Sequence, residues 1–195
     1  AIAGEGDVVI QAPFHFNHVQ RRWSGPLWFR GVAEHFRVVH YDSRGQGLST
    51  RGIPGDLTVH DYRRDLETII DAVDAEKFAL MAYGGFGQVV ARYAADHPER
   101  VTALILICSS ESFNAWSRAA HIGMAEENWD LFLELQTRKF PPDIAQLIVG
   151  FMKAATGQAD YLQMVRAFIR SPSISEIVPA LPMPALLLHS LDQHW

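Results

Sequence analysis

The chain has 195 residues, 48% of them apolar, and a formal net charge of −5. That is enough apolar material for one domain with its own core, and the mildly acidic balance argues against the basic surface that non-specific binding to nucleic acid or anionic membranes needs. The single cysteine, Cys108, excludes an internal disulfide framework and fits a reducing compartment. No apolar run approaches the roughly 18–20 residues of a membrane span, and the first residues lack the basic and apolar stretches of a signal peptide. The expectation is a cytoplasmic domain that meets a small molecule, with no nucleic-acid or membrane partner.

In chain order, residues 7–12 (DVVIQA) predict a buried strand. Residues 26–36 predict a helix and 37–41 a second strand. The clearest helix is 59–73, where Tyr62, Leu66, Ile69, Ile70 and Val73 form one stripe and Thr58 can cap it with Asp61 three residues on. Residues 77–82 predict a third strand, followed by a glycine cluster and a helix over 88–97. Residues 101–108 (VTALILIC) are continuously apolar. Continuous rather than alternating runs belong to parallel strands covered on both faces. From about residue 112 to 171 the pattern is helical only, with amphipathic segments at 128–139, 142–155 and 160–169; residues 184–189 return to a strand. The expected architecture is a three-layer, doubly wound, mostly parallel α/β sheet. Its core spans 1–111, a helical lid 112–173, and the return to the core 174–195.

Three stretches carry a resemblance. Residues 41–50 (YDSRGQGLST) resemble the loop after the fourth strand of α/β-hydrolase-fold proteins. Residues 90–101 (VARYAADHPERV) resemble the helix behind that fold's nucleophile, and 186–192 (LLLHSLD) resemble the strand that ends at its acid. The subtype resembled is the α/β-hydrolase domain found beside adenylate-cyclase or LuxR-type modules in bacterial regulators, whose segment after the first strand matches Pro13-Phe-His-Phe-Asn-His18 in part.

The family's nucleophile sits in Gly-x-Ser-x-Gly, on a sharp strand-to-helix turn. Counting back from Tyr93 places Gly84 there, within Ala82-Tyr-Gly-Gly-Phe-Gly87. The turn can survive, since glycine accepts strained backbone, and the N–H of Gly85 would still face the cleft at a helix N-terminus. Asp192 is the candidate acid. The family's histidine would follow Trp195, and Ala1 to Gly6 read as the tail of a strand whose partner is missing. The resemblance thus implies a domain truncated at both ends, or an edge covered by another subunit. Phe14, His15, Tyr83, Gly85 and Phe86 are the candidate oxyanion and ligand-binding residues.

Blander readings stand beside these. The glycines at 84, 85 and 87 serve close helix–strand packing equally well. Dinucleotide binding is disfavoured because Val90 stands where a third glycine belongs. Gly45 and Gly47 read as a turn that Asp42 and Arg44 tie to neighbouring backbone. His15 and His18 read first as surface or capping residues. Cys108 reads as an inert small hydrophobe, and Arg63, Arg64, Asp65 and Glu67 as a solvated helix face. No metal or cofactor is expected.

Three functions remain open. One is a hydrolytically impaired domain that binds a small apolar or carbonyl-bearing ligand in a sensing role, as a homo-oligomer or with an attached regulatory domain. Another is an active enzyme of the superfamily, either a hydrolase or one using non-covalent His/Asp chemistry, with a histidine beyond Trp195. A third is a degenerate interaction module whose cleft is filled by Phe86 or Tyr83.

Overall fold

The computed structural model describes residues 1–23, 28–109 and 115–189. Strands β1 (Ile2–Ala3), β2 (Val8–Gln11), β3 (Arg37–His40), β4 (Phe78–Tyr83), β5 (Val101–Ile107) and β6 (Ala185–Leu188) form one sheet in the order β1-β3-β2-β4-β5-β6. All pairs are parallel except β1 with β3. The strands β2, β3 and β4 are the most deeply buried, covered on both faces as inner strands of a parallel sheet are.

A short helix, α1 (Val19–Trp23), precedes α2 (Trp28–Ala33), which falls within the helix expected over 26–36, of which residues 26 and 27 lie outside the described residues. Helix α3 (Val59–Val73) matches its expected bounds. It buries Val59, Tyr62, Leu66, Ile70 and Val73 along one stripe. Its start is held by Asp61, which accepts from the Thr58 N–H at 2.8 Å and the Thr58 hydroxyl at 2.9 Å. It ends at Asp74, in the left-handed conformation at φ 53°. Helix α4 (Gly87–Asp96) packs against α3 and against β4 and β5. Between β5 and β6 stand four helices: α5 (Ala115–Glu127), α6 (Trp129–Thr137), α7 (Pro142–Ala155) and α8 (Gln158–Ile169). Three of them overlap the amphipathic segments read from the sequence.

The outer side of the sheet departs from expectation. The continuous apolar run over 101–108 predicts β5 buried on both faces, yet Ala103, Ile105 and Ile107 are half-buried. Strand β6 lies at the edge of the sheet among the described residues, with Leu186 51% and Leu187 55% exposed. An apolar run records that a strand can be covered; what packs on it is a tertiary matter. Cys108, expected inside, is half-buried and left-handed at φ 49°, with its N–H bonded to the Leu188 carbonyl at 2.7 Å. Among the described residues no helix is long and apolar enough to cross a membrane.

Candidate functional site

β2 and β4 are adjacent and parallel, so the segments that follow them emerge at the same edge of the sheet. Crevices outside the carboxyl ends of strands are where open α/β sheets bind ligands. After β4 the chain makes a single 3₁₀ turn over Gly84–Phe86 and passes directly into α4. Gly84 has φ +52°, in the left-handed region that side-chain-bearing residues avoid. The turn therefore sits at the positive end of the α4 dipole.

Phe14, His15, Tyr83 and Gly84 meet here and are each half-buried, while Gly85 and Phe86 are buried beneath them. The Phe14 and Tyr83 rings meet edge-on at 5.7 Å. The side chain nearest the turn is His15. A Cβ placed on Gly84 would stand 3.0 Å from its Cε1 and 3.5 Å from its Nδ1, and one on Gly85 would stand 3.2 Å from its Nε2. That Nε2 is shielded from solvent and has no hydrogen-bond partner. Burial, and after it the neighbouring His121, lowers the imidazole pKa to about 4, so the ring is neutral at pH 7.

The lid helices close over this corner. Phe168 of α8 stands 3.2 Å from a Cβ on Gly85, with its ring 4.9 Å from Phe86 and 5.1 Å from Tyr62. Tyr161, also on α8, stacks on Phe16 at 5.0 Å, and His121 Nε2 lies 2.6 Å from its hydroxyl. The rings of Trp129 and Phe132 pack against Tyr161 as well. These lid aromatics face inward, whereas Met124 faces outward at 39% exposure. Burial raises the Tyr161 phenol and lowers the His121 imidazole pKa. The side chains packed on the turn are thus His15 and Phe168, whereas the interaction-module reading places Phe86 or Tyr83 there. Nor is the larger groove described, about 610 Å³, over Gly84; it lies between residues 41–54 and α3. Phe168 takes the space that an apolar cleft over Gly85 would need.

The loop at 41–50 holds the site from behind. Gln46 is buried, and its Nε2 donates to the carbonyls of Phe14 at 2.6 Å and His15 at 2.9 Å. Asp42 accepts from Asn17 Nδ2 at 2.7 Å and from the backbone N–H groups of Val19 and Leu48, each at 2.9 Å. Arg44 departs from expectation: it pairs with the Asp65 carboxylate rather than with backbone, and Ser43 donates to the same carboxylate at 3.0 Å. Asp65 is therefore an anchor rather than part of a solvated face. Arg63, of the same helix, pairs with Glu67 and Asp96. His18, read as a surface group, is 8% exposed. Asp160 secures the far end of the loop by accepting from the N–H groups of Gly52 and Ile53. The Thr156 hydroxyl donates to Gly45 O at 2.7 Å.

Gln46, His121, Tyr161 and Phe168 were not singled out from the sequence. Gln46 alone carried a signal, lying between the two glycines of the quoted loop. Asp192 lies outside the described residues. Among the described residues, no group of three or more His, Cys, Asp or Glu is placed to hold a metal ion.

The sequence profile of the alpha/beta hydrolase fold family matches residues 15–171. The chain belongs to this family. Its curated relatives include "Putative carbamate hydrolase RutD" of Caulobacter vibrioides, 30% identical over 98 residues, which are 49% of this chain and 34% of the relative. The protein of the same name from Variovorax paradoxus is 34% identical over 82 residues, or 42% of this chain and 29% of the relative. The matched stretch thus spans about a third of these relatives. Among solved structures of the family's fold, an enol-lactonase from Burkholderia xenovorans LB400 superposes with TM-score 0.79 at 17% identity, covering 96% of this chain and 75% of the other. A bromoperoxidase from Bacillus anthracis superposes with TM-score 0.81 at 16% identity, covering 97% and 75%. At such identities what is shared is the fold.

Proposed function

We propose that this chain is part of an alpha/beta-hydrolase-fold enzyme that cleaves a small carbonyl-bearing substrate by a route without a serine ester. The observation that carries the reading is Gly84. The turn after β4 has the left-handed backbone of a nucleophile elbow, and it offers no hydroxyl, thiol or carboxylate at its tip. A covalent seryl route is closed at that position, while α4 still points its N-terminus at the site. Curated relatives named as hydrolases favour an enzyme over the sensing domain that the regulator-like motifs suggest. Their name makes carbamates the substrate class to try first, with simple esters and lactones as probes of the same acyl-cleavage chemistry.

The test is hydrolysis of a panel of p-nitrophenyl esters, phenyl carbamates and lactones by the full-length protein, with intact-mass analysis during turnover. Turnover without a burst, without an acyl adduct and without inactivation by a fluorophosphonate is expected. Stoichiometric labelling of a serine would overturn the reading.

A second reading has one observation in its favour. His15 and Phe168 pack against the turn closely enough to suit a domain that binds without turning over. It predicts no hydrolysis across the panel, together with a melting temperature raised by one of the same compounds.

A further inference from the structure

We propose that His15 is the reacting group the elbow presents, acting through Nδ1 as the base that activates the attacking water; this rests on the hydrolytic reading above. Three observations lead to it. First, the space that a side chain on residue 84 would enter is bordered by the Nδ1–Cε1 edge of His15, at 3.5 and 3.0 Å. The edge of the imidazole is thus the nearest side-chain surface to the point where a side chain on residue 84 would start. Second, residue 15 as a whole is half-buried, and Nε2 on the inner edge of its ring is shielded and unpartnered. A ring that only filled a core would be replaced by an apolar one at a gain, because a shielded polar atom without a partner costs stability. Third, the backbone carrying the ring is fixed: Gln46 holds the carbonyls of residues 14 and 15.

The chemistry balances with a proton on Nε2. Water bound at Nδ1 adds its oxygen to the carbonyl carbon while its proton passes to Nδ1, and the carbonyl oxygen becomes an oxyanion near the positive end of the α4 dipole. Collapse expels the alkoxide or amine, which takes the proton back from Nδ1, and imidazole returns to its neutral form. No acyl-enzyme is formed. The titratable groups facing His15 are His121 of α5 and Tyr161 of α8, whose ring lies 6.5 Å away; Tyr83 of β4 reaches it through Phe14. The influences on its charge are burial and His121, both of which favour the neutral ring.

The experiment compares full-length wild type with His15→Gln and His15→Ala, using whichever panel compound wild type hydrolyses. A loss of about 100-fold or more in kcat with KM held within a few-fold is expected for both variants. Circular dichroism should show both variants folded, with His15→Ala melting lower because it leaves a cavity among Phe14, Phe86, Tyr161 and Phe168; added imidazole should partly rescue His15→Ala, and the wild-type rate should stay level from pH 8 down to about 5. Retention of kcat within a few-fold in the folded Gln variant would overturn the proposal, as would an acylated His15 peptide. If wild type hydrolyses nothing, the reading under Proposed function fails by itself. His15 is then judged by ¹⁵N-histidine NMR with phenyl trifluoromethyl ketone, whose hydrate mimics the water adduct. A shift of the His15 ring nitrogens supports the contact, and unchanged resonances at saturation overturn it.

Discussion

The loop at 41–50 and the turn at Gly84–Phe86 are both glycine-punctuated, and both place a glycine at positive φ: Gly47 at 48° and Gly84 at 52°. They differ in what lies beside them. A Cβ on Gly47 would stand 2.0 Å from Asp42 Oδ2, inside a carboxylate already committed to Asn17, Val19 and Leu48. A Cβ on Gly84 would stand 3.0 Å from the edge of an imidazole whose Nε2 is bonded to nothing. In the loop nearly every buried polar group is spent on a neighbour, Gln46 Oε1 and the Tyr41 hydroxyl being exceptions. Near the turn, His15 Nε2 and both polar atoms of Gln88 have no hydrogen-bond partner. Fully paired groups build architecture; shielded, unpaired ones are retained at a cost and mark where chemistry is to be sought.

The largest effect that would sharpen this contrast is Gly47→Ala. Left-handed strain plus displacement of the Asp42 carboxylate should cost about 4 kcal/mol, a fall of roughly 8–16 °C in the melting temperature measured by circular dichroism. A fall of a degree or two would show that the loop yields and is not the rigid half of the pair.

Acid comes next. His15 titrates near 4 in the fold and near 6.5 when unfolded. As pH falls the unfolded chain takes the proton first, so stability present above pH 6.5 is lost between about 6.5 and 4, by about 3 kcal/mol. His121, also lowered, adds in the same direction. Urea midpoints across that window should slope downward in wild type and less steeply in His15→Gln; parallel slopes would remove His15 from the account.

Gly84→Ala should cost less than its counterpart in the loop, about 1–2 kcal/mol, because a ring edge can give by a few tenths of an ångström where a triply bonded carboxylate cannot. Equal losses at the two glycines would break the comparison. Smallest is Asp61→Ala, which removes the cap of α3 and an exposed ion pair with Arg64 and should lower stability by about 1 kcal/mol without altering turnover; a loss of turnover would mean that α3 reaches the site.

Much of the site could be named in advance because its parts follow strand ends. The run DVVIQA leads into Phe14 and His15, and KFALMA into Tyr83 and Gly84, and parallel pairing of these strands brings the two together. The helix at 59–73 was legible from its stripe and cap. The roles of Gln46 and Phe168 were not. Gln46 reaches back 31 residues to the His15 carbonyl, and Phe168 comes from a helix 83 positions beyond Gly85. Arg44 and Asp65 were visible as charges, yet their pairing over 21 residues was not.

What the sequence by itself determined is local: where strands and helices form, that the sheet is mostly parallel, that the turn after β4 carries a glycine, and that the segment before β6 is helical. Periodicity and turn chemistry act over a few residues and are written in neighbours. Only the tertiary structure decided that one side of β5 is left partly uncovered, that Phe168 covers Gly85, and that an imidazole stands beside Gly84. Those outcomes depend on how distant surfaces share a limited volume, and close packing sets that among all elements at once.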